Sequence, residues 1–139
     1  RVIAVHDWGN MLCPLIVAGH IHGGVAQGIS QALYEEVVYD AESGQMRTVT
    51  FTDYMLPHAN EFPNFELGRT ITPSPTNGLG VKGIGEAGTI ASSIAVINAI
   101  CDALAPLGIK HVDMPASPDR LWKLIQEARG TNHNGKGGS

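Results

Sequence analysis

The chain contains very little cysteine. Its 139 residues include only Cys13 and Cys101, which lie far apart in the sequence. Two isolated cysteines exclude a disulfide framework, and they also exclude an iron–sulfur or zinc site built from clustered cysteines. Cys101 falls within an apolar pattern of helical period, which is typical of a core residue. The cysteine content therefore indicates a reducing compartment, and we expect a cytoplasmic protein.

Charge and long apolar runs are also scarce. Charged residues make up 16% of the chain and the formal net charge is −4, so there is no basic surface of the kind that binds nucleic acid. The longest uninterrupted apolar run covers residues 11–18, far short of the about 20 residues that a membrane-spanning helix needs. We therefore expect no nucleic-acid partner and no membrane span.

The spacing of the apolar residues predicts an α+β domain. Residues 2–5, 65–71 and 109–112 have strand patterns, and residues 34–39 and 45–51 flank a turn as a hairpin would. Apolar residues recur at helical spacing over residues 19–39 and 90–104, and Ser117 before Pro118 is typical of the start of a helix. We predict a mixed sheet, two long helices and a short C-terminal helix ending at Ala128. This domain covers residues 1–129, and a flexible polar tail covers residues 130–139.

The most informative segment is residues 80–90, which read GVKGIGEAGTI. It places Glu86 among Gly83, Gly85 and Gly88, directly before the second long apolar helical pattern. Glycine lacks a Cβ atom, so the backbone here can approach a ligand closely. The N-terminus of a helix favours a negative charge, so a carboxylate at this position would be ionised and could act as a base. A tight turn into an ordinary helix would use the same residue types.

The same segment has a second interpretation. It fits the pattern G-x-G-x-x-G at Gly78, Gly80 and Gly83, and again at Gly83, Gly85 and Gly88. This pattern is typical of a dinucleotide-binding domain, which is therefore an alternative function. That fingerprint requires a strand directly before the glycines, whereas residues 73–77 form a loop sequence that contains two prolines.

The pair His20 and His22 is a weak candidate for a metal site. Residues two positions apart do not share a face of a helix, and no acidic or cysteine ligand has a suitable spacing. We therefore predict no metal ligands in this chain.

Three segments together resemble the C-terminal part of the molybdopterin-binding large subunit of the xanthine dehydrogenase/aldehyde oxidase family. The similarity covers nearly the whole chain, from about Val2 to Ala128. Three matches in the same order are far more specific than the glycine segment alone. The matching segments are HIHGGVAQGISQALYEE at 20–36, GVKGIGEAGT at 80–89 and DMPASPDRLW at 113–122.

The resemblance implies an oxidoreductase that hydroxylates an aldehyde or an N-heterocycle with water as the oxygen source. Its cofactor would be molybdenum–molybdopterin, in some members the cytosine dinucleotide form. Glu86 would be the base that removes a proton from the hydroxyl ligand of molybdenum, and Gly85 and Lys82 would line the cofactor. The family usually has a glutamine at the position of His20, so His20 would contact the cofactor through an imidazole instead of an amide.

The resemblance also implies partners. The family's molybdenum subunit has several hundred residues, and its cofactor contacts are spread over domains that this chain lacks. The expected partners are those domains, iron–sulfur and FAD subunits or domains, and a small-molecule substrate. We expect the isolated chain to bind no cofactor, to be inactive, and to self-associate through apolar surface. The alternative is a non-catalytic binding or assembly module that retains the fold.

Overall fold

The computed structural model describes residues 1–134 of the chain, and it confirms the predicted α+β class. Two strands and three helices form the fold, and 3₁₀ turns lie at Ala59–Glu61 and Ala105–Leu107. The elements are β1 (Val2–Asp7), α1 (Pro14–Leu33), β2 (Phe65–Thr70), α2 (Ala87–Leu104) and α3 (Pro118–Asn134). The chain divides into two compact units. Unit 1 comprises Arg1–Ile29 and Pro57–Ser93, and unit 2 comprises Ser30–Leu56 and the chain from Ile94 onward.

The sheet of unit 1 is parallel, which corrects the prediction of a mixed sheet. β1 pairs with β2 in a register that runs from Val2 opposite Phe65 to Asp7 opposite Thr70. Within residues 1–134 the sheet has two strands, and the predicted hairpin amounts to a single antiparallel bridge between Tyr39 and Met46. The turn between these two residues forms as expected, but the flanking segments lack a buried face that would fix a longer ladder.

α1 begins at Pro14, five residues before the start of the predicted helical pattern. Proline is favoured in the first turn of a helix, because its missing N–H would have no partner there. The predicted apolar face is the core of the helix: Ile21, Val25 and Ile29 are all less than 5% exposed.

α1 and α2 cross where both helices lack side chains. A Cβ atom on Gly24 would lie 2.9 Å from Cα of Gly88, and one on Gly88 would lie 2.6 Å from the carbonyl oxygen of Ile21. One turn further along α1, a Cβ atom on Gly28 would lie 1.8 Å from Oγ of Ser92. Only glycine at positions 24 and 88 allows the two backbones to approach this closely. Gly24 and Gly28 of α1 therefore accommodate a neighbouring helix, and the crossing places the first turn of α2 against α1.

We predict that Gly24→Ala destabilises the chain and that Gly23→Ala does not. The new methyl group at position 24 must displace backbone atoms of α2, at a cost of about 1–3 kcal/mol. At position 23 a Cβ atom meets nothing within 4 Å, and alanine gains up to about 1 kcal/mol in helix propensity. Urea unfolding of both variants, followed by circular dichroism, measures the difference. Equal stabilities would contradict the close crossing.

The core of unit 2 contains a segment that we predicted to be a strand. Ile109, Val112 and Ala116 are buried, and the Ala116 N–H donates to the carbonyl oxygen of Ala32 at 2.7 Å. Residues 109–112 are not a strand, because apolar side chains from the surrounding helices bury this short run without a pairing partner. The packed side chains are Leu33, Ile97, Ile100, Cys101, Leu104, Leu107, Leu121, Leu124, Ile125 and Ala128.

α3 starts at Pro118 as predicted but ends at Asn134 instead of Ala128. Residues 130–134, which we assigned to a polar tail, are therefore helical. A single glycine at position 130 costs a helix only about 1 kcal/mol, and no proline follows to stop it. The rest of the predicted tail, residues 135–139, lies outside the described residues.

α2 and the 3₁₀ turn after it are long and apolar enough to cross a membrane by length and composition. The segment Ala87–Leu107 has 21 residues and a mean hydropathy of 1.7, and 11% of its most apolar window is buried. One such helix is weak evidence of a span, because the core helix of a soluble protein meets the same criteria. The absence of a membrane span stays a prediction.

Candidate functional site

The glycine segment before α2 is attached to the carboxyl end of β1. The Lys82 N–H donates to the carbonyl oxygen of Trp8 at 2.9 Å, and Val81 forms an antiparallel bridge with Gly9. Gly9 has a φ of +67°, and a Cβ atom there would lie 2.2 Å from the carbonyl oxygen of Gly80. A glycine at position 9 is therefore required for the segment to dock on β1.

Two asparagines hold the start of the same segment. The Asn10 N–H donates to the carbonyl oxygen of Gly80 at 3.0 Å, and its side-chain amide donates to that of Leu79 at 2.8 Å. The side chain of Asn77 exchanges two hydrogen bonds with the backbone of Val81, at 2.9 and 3.1 Å. The loop thus enters residues 83–86 from a fixed position. Residues 71–79 before it form no strand, which argues against the dinucleotide-binding alternative.

Glu86 directly precedes α2. Its carbonyl oxygen accepts hydrogen bonds from the N–H groups of Thr89 and Ile90, at 3.0 and 3.2 Å, so it occupies the N-cap position. Its side chain is exposed and makes no hydrogen bond or ion pair with any residue in the described part of the chain. The carboxylate of Glu86 is therefore available to a group outside this chain.

The backbone before Glu86 is equally available. The N–H groups of Gly83, Ile84, Gly85 and Glu86 have no acceptor within residues 1–134. A Cβ atom on Gly83 or Gly85 would have no atom within 4 Å, so the backbone faces open space. Successive unpaired N–H groups at a helix start bind anions and other acceptor groups. This row of donors, with the carboxylate at its end, forms the candidate site.

His20 lies in the turn of α1 that packs against the first turn of α2. Its Nδ1 lies 3.0 Å from the carbonyl oxygen of Ile16, which can only accept, so Nδ1 carries the proton and the neutral ring presents Nε2 as an acceptor. His22 makes the same bond to Ala18 at 2.8 Å, but its ring packs on Phe65 with centroids 5.7 Å apart. Within the described residues, no group of histidine, cysteine and acidic side chains could hold a metal ion.

Lys82 is paired with a carboxylate that the sequence analysis missed. Its Nζ lies 3.1 Å from Oδ1 of Asp7, and the two side chains are 35% and 25% exposed. The same oxygen accepts the N–H groups of Gly9 and Thr72, at 2.9 and 3.2 Å. In the sequence, Asp7 lies two residues beyond the predicted strand at residues 2–5, and this position was the only available signal.

Hydrogen bonds hold the pKa of the Asp7 carboxyl well below its usual range. The Thr72 hydroxyl has the largest effect, followed by the Gly9 N–H; burial opposes them, and the Thr72 N–H and Lys82 add smaller effects in the same downward direction. Because the folded state lowers this pKa, the carboxylate stabilises the fold fully above the unfolded pKa of about 3.9 and loses this effect as the pH falls below it.

We predict that Asp7→Asn lowers the thermal midpoint of the chain by a constant amount above about pH 4.5, and that the difference from the parent chain shrinks at lower pH. Unfolding followed by circular dichroism from pH 2.5 to 7 measures this dependence. Asp102→Asn, at an exposed position of α2 without a described partner, is the control. A difference for Asp7→Asn that does not change with pH would contradict the assigned role.

Unit 1 also has an apolar groove away from this segment. It has a volume of about 260 Å³, and its lining includes Trp8, Met11, Val17, Leu67 and Arg69. The indole N–H of Trp8 is buried and has no acceptor among the described residues. None of the predicted site residues lines this groove, so the candidate site remains the open segment at residues 82–86.

The chain matches a family model and several known proteins. The model of the molybdopterin cofactor-binding domain matches residues 1–63. The nicotine 6-hydroxylase large subunit of Paenarthrobacter nicotinovorans is 42% identical over 126 residues, which cover 91% of this chain and 15% of that protein. This alignment covers far more of the chain than the family model, which ends before Glu86.

Solved structures share the fold. Quinoline 2-oxidoreductase from Pseudomonas putida 86 superposes with a TM-score of 0.85 at 43% identity, over 90% of this chain and 16% of that one. Reconstituted CO dehydrogenase from Oligotropha carboxidovorans gives a TM-score of 0.87 at 36% identity, over 93% and 16%. The chain therefore spans about one sixth of the length of the proteins it matches.

Proposed function

Because the chain belongs to the xanthine dehydrogenase family, in the molybdopterin-binding region of its large subunits, we propose that it forms one wall of a molybdenum active site. The proposed reaction of the whole enzyme is the oxidative hydroxylation of an aldehyde or an N-heterocycle with water as the oxygen source. The names of the relatives support this substrate class, since they include a nicotine hydroxylase and a quinoline oxidoreductase.

The residues of the candidate site fit the cofactor chemically. Molybdopterin, with or without the cytosine dinucleotide extension, is an anion rich in hydrogen-bond acceptors. The N–H groups of residues 83–86 are donors without acceptors in this chain, and Gly83 and Gly85 leave the backbone accessible. We assign these groups, together with His20, to the cofactor side of the site. When bound, the cofactor supplies the metal that acts as Lewis acid and oxidant.

Glu86 is the proposed base. The observation that supports this role is its unpartnered, exposed carboxylate at the N-terminus of α2. A base must be ionised before the reaction and must reach the proton that it accepts. The helix start supports ionisation, and the glycine crossing positions the residue. In this proposal the carboxylate accepts the proton released as the water-derived oxygen attacks the substrate carbon.

We predict that Glu86→Gln in the assembled enzyme lowers turnover by about 10²–10⁴-fold, the usual effect of losing a general base. Glutamine preserves shape and hydrogen bonding but cannot accept the proton. Molybdenum content should stay unchanged, because the backbone donors remain. Steady-state kinetics and metal analysis measure both quantities. Glu42→Gln, in the exposed turn of unit 2, is the matched control; near-normal turnover of the Glu86 variant would refute the proposed role.

The remaining walls of the site must come from other polypeptide. Both units expose large apolar side chains, among them Ile3, Leu15, Phe51 and Ile90 at 57–84% exposure. We propose that the rest of a large subunit covers these surfaces and that iron–sulfur and FAD subunits complete a cytoplasmic enzyme. The isolated chain is then expected to bind no cofactor and to self-associate. Molybdenum that co-purifies with the isolated chain would contradict this view.

A substitution at His20 tests whether this residue contacts the cofactor in the assembled enzyme. Its Nδ1–H is occupied by Ile16, so the neutral ring can only accept a hydrogen bond through Nε2. An amide can both accept and donate, so His20→Gln should preserve or raise the molybdenum content of the assembled enzyme. His22→Gln is the matched control on the same helix, since that ring packs on Phe65. A His20 variant that behaves like the His22 variant between pH 5.5 and 8 would remove His20 from the site.

A further inference from the structure

The segment that carries the proposed base also carries an opposite charge. Lys82 and Glu86 are four residues apart, so their Cα atoms are at most about 14 Å from each other even in a fully extended chain. Residues 84–87 form a turn in which the Ala87 N–H donates to the carbonyl oxygen of Ile84 at 3.1 Å, which shortens this separation. The flexible side chain of a lysine can span much of the remaining distance between Lys82 and Glu86. Lys82 could therefore form an ion pair with Glu86, and this ion pair would compete with proton acceptance by the Glu86 carboxylate.

The structure shows a different pairing. The ammonium group of Lys82 lies 3.1 Å from Oδ1 of Asp7, and Glu86 has no partner within residues 1–134. Asp7 is well suited to hold this charge, because the N–H groups of Gly9 and Thr72 fix the same carboxylate oxygen. The backbone of Lys82 is also fixed, through its N–H bond to Trp8.

We propose that Asp7 is a positioning residue that holds the Lys82 ammonium away from Glu86 and thereby keeps the Glu86 carboxylate free to accept a proton. This inference rests on the proposed role of Glu86 as the base. An ammonium group next to a carboxylate favours its ionised form, so it weakens the carboxylate as a proton acceptor. A strong hydrogen bond from lysine would also occupy an oxygen that the reaction needs.

Apart from Asp7 and Lys82 themselves, the charged and titratable groups near the site are the same in every variant whose Glu86 titration is compared. On the elements packed around the segment, the titratable groups are His20 and His22 on α1 and His6 and Asp7 on β1. On β2, Glu66 is paired with Arg1, and the guanidinium group of Arg69 lies 3.9 Å from the sulfur of Met11. None of these groups contacts Glu86 within the described part of the chain.

Carbon-13 NMR of the full chain, labelled at the glutamate carboxyl carbons, tests the proposal directly. The Glu86 signal is assigned by its loss in Glu86→Gln, and its titration midpoint is compared among Asp7→Asn, Lys82→Met and the double variant. Asp7→Asn retains an oxygen that can accept from Gly9 and Thr72 but no longer holds Lys82. We expect its Glu86 midpoint to fall by about 0.5–1 pH unit, since the released ammonium is exposed and partly screened.

The other two variants determine whether Lys82 causes the shift. Lys82→Met alone should leave the Glu86 midpoint where it is, and Asp7→Asn with Lys82→Met should return it there. If Lys82→Met alone raises the midpoint, Lys82 already acts on Glu86 and the proposal is overturned. If Asp7→Asn leaves the midpoint unchanged in a folded chain, or if the double variant retains the shift, the proposal is also overturned. Should Asp7→Asn not fold, the Lys82→Met result decides.

The assembled enzyme gives a second measurement. The acidic limb of its pH–rate profile should move to lower pH in Asp7→Asn, with a lower plateau in kcat, and the added Lys82→Met change should reverse the movement. Failure of the proposed function would appear separately, as near-normal turnover of Glu86→Gln. Because the NMR titration does not depend on turnover, the positioning role of Asp7 is decided even in that case.

Discussion

The crossing of α1 and α2 is the contact on which the candidate site depends. Gly24 and Gly88 bring the two helix backbones together with no side chain between them. This contact determines where α2 begins relative to α1, and α2 begins directly after Glu86. A protein interior tolerates little rearrangement, so a methyl group at the crossing would move the helix start as well as lower stability. The glycines that disfavour a helix locally are thus required for the position of a single carboxylate.

A second constraint comes from the carboxyl end of β1. Asp7, Gly9 and Asn10 hold the chain at residues 79–82 through backbone bonds and one ion pair. The helix crossing and this attachment act from opposite ends of residues 83–86, the stretch whose N–H groups have no acceptor in the chain. Donors that are held in position and left unpaired cost little reorganisation when a ligand arrives, which is the usual basis of preorganised binding.

The sequence predicted the existence of all three helices, with errors at the start of α1 and the end of α3, and it placed Glu86 directly before α2. It did not predict which residues pair around Glu86, whose role as a base stays a prediction. Apolar residues at every fourth position predicted the buried face of α1, and the glycines before a long apolar helix pointed to Glu86. Residues 109–112 were wrongly predicted as a strand, because a short apolar run looks the same whether it pairs as a strand or is buried by helices. Asp7 was missed because its role depends on Lys82, which lies 75 positions further along the chain.

The range of the contacts that build the site explains why a chain of this size carries a recognisable but incomplete site. The helix crossing and the attachment to β1 require only local residues, so the positions of Glu86 and of the unpaired N–H groups are set within the chain. A substrate pocket needs walls on every side, whereas the segment at residues 82–86 is open and the apolar groove lined by Trp8 and Leu67 lies elsewhere. The apolar surfaces of both units are where such walls would attach. The chain therefore fixes the position of the Glu86 carboxylate and of the charges near it, whereas a closed substrate pocket would need further polypeptide on these apolar surfaces.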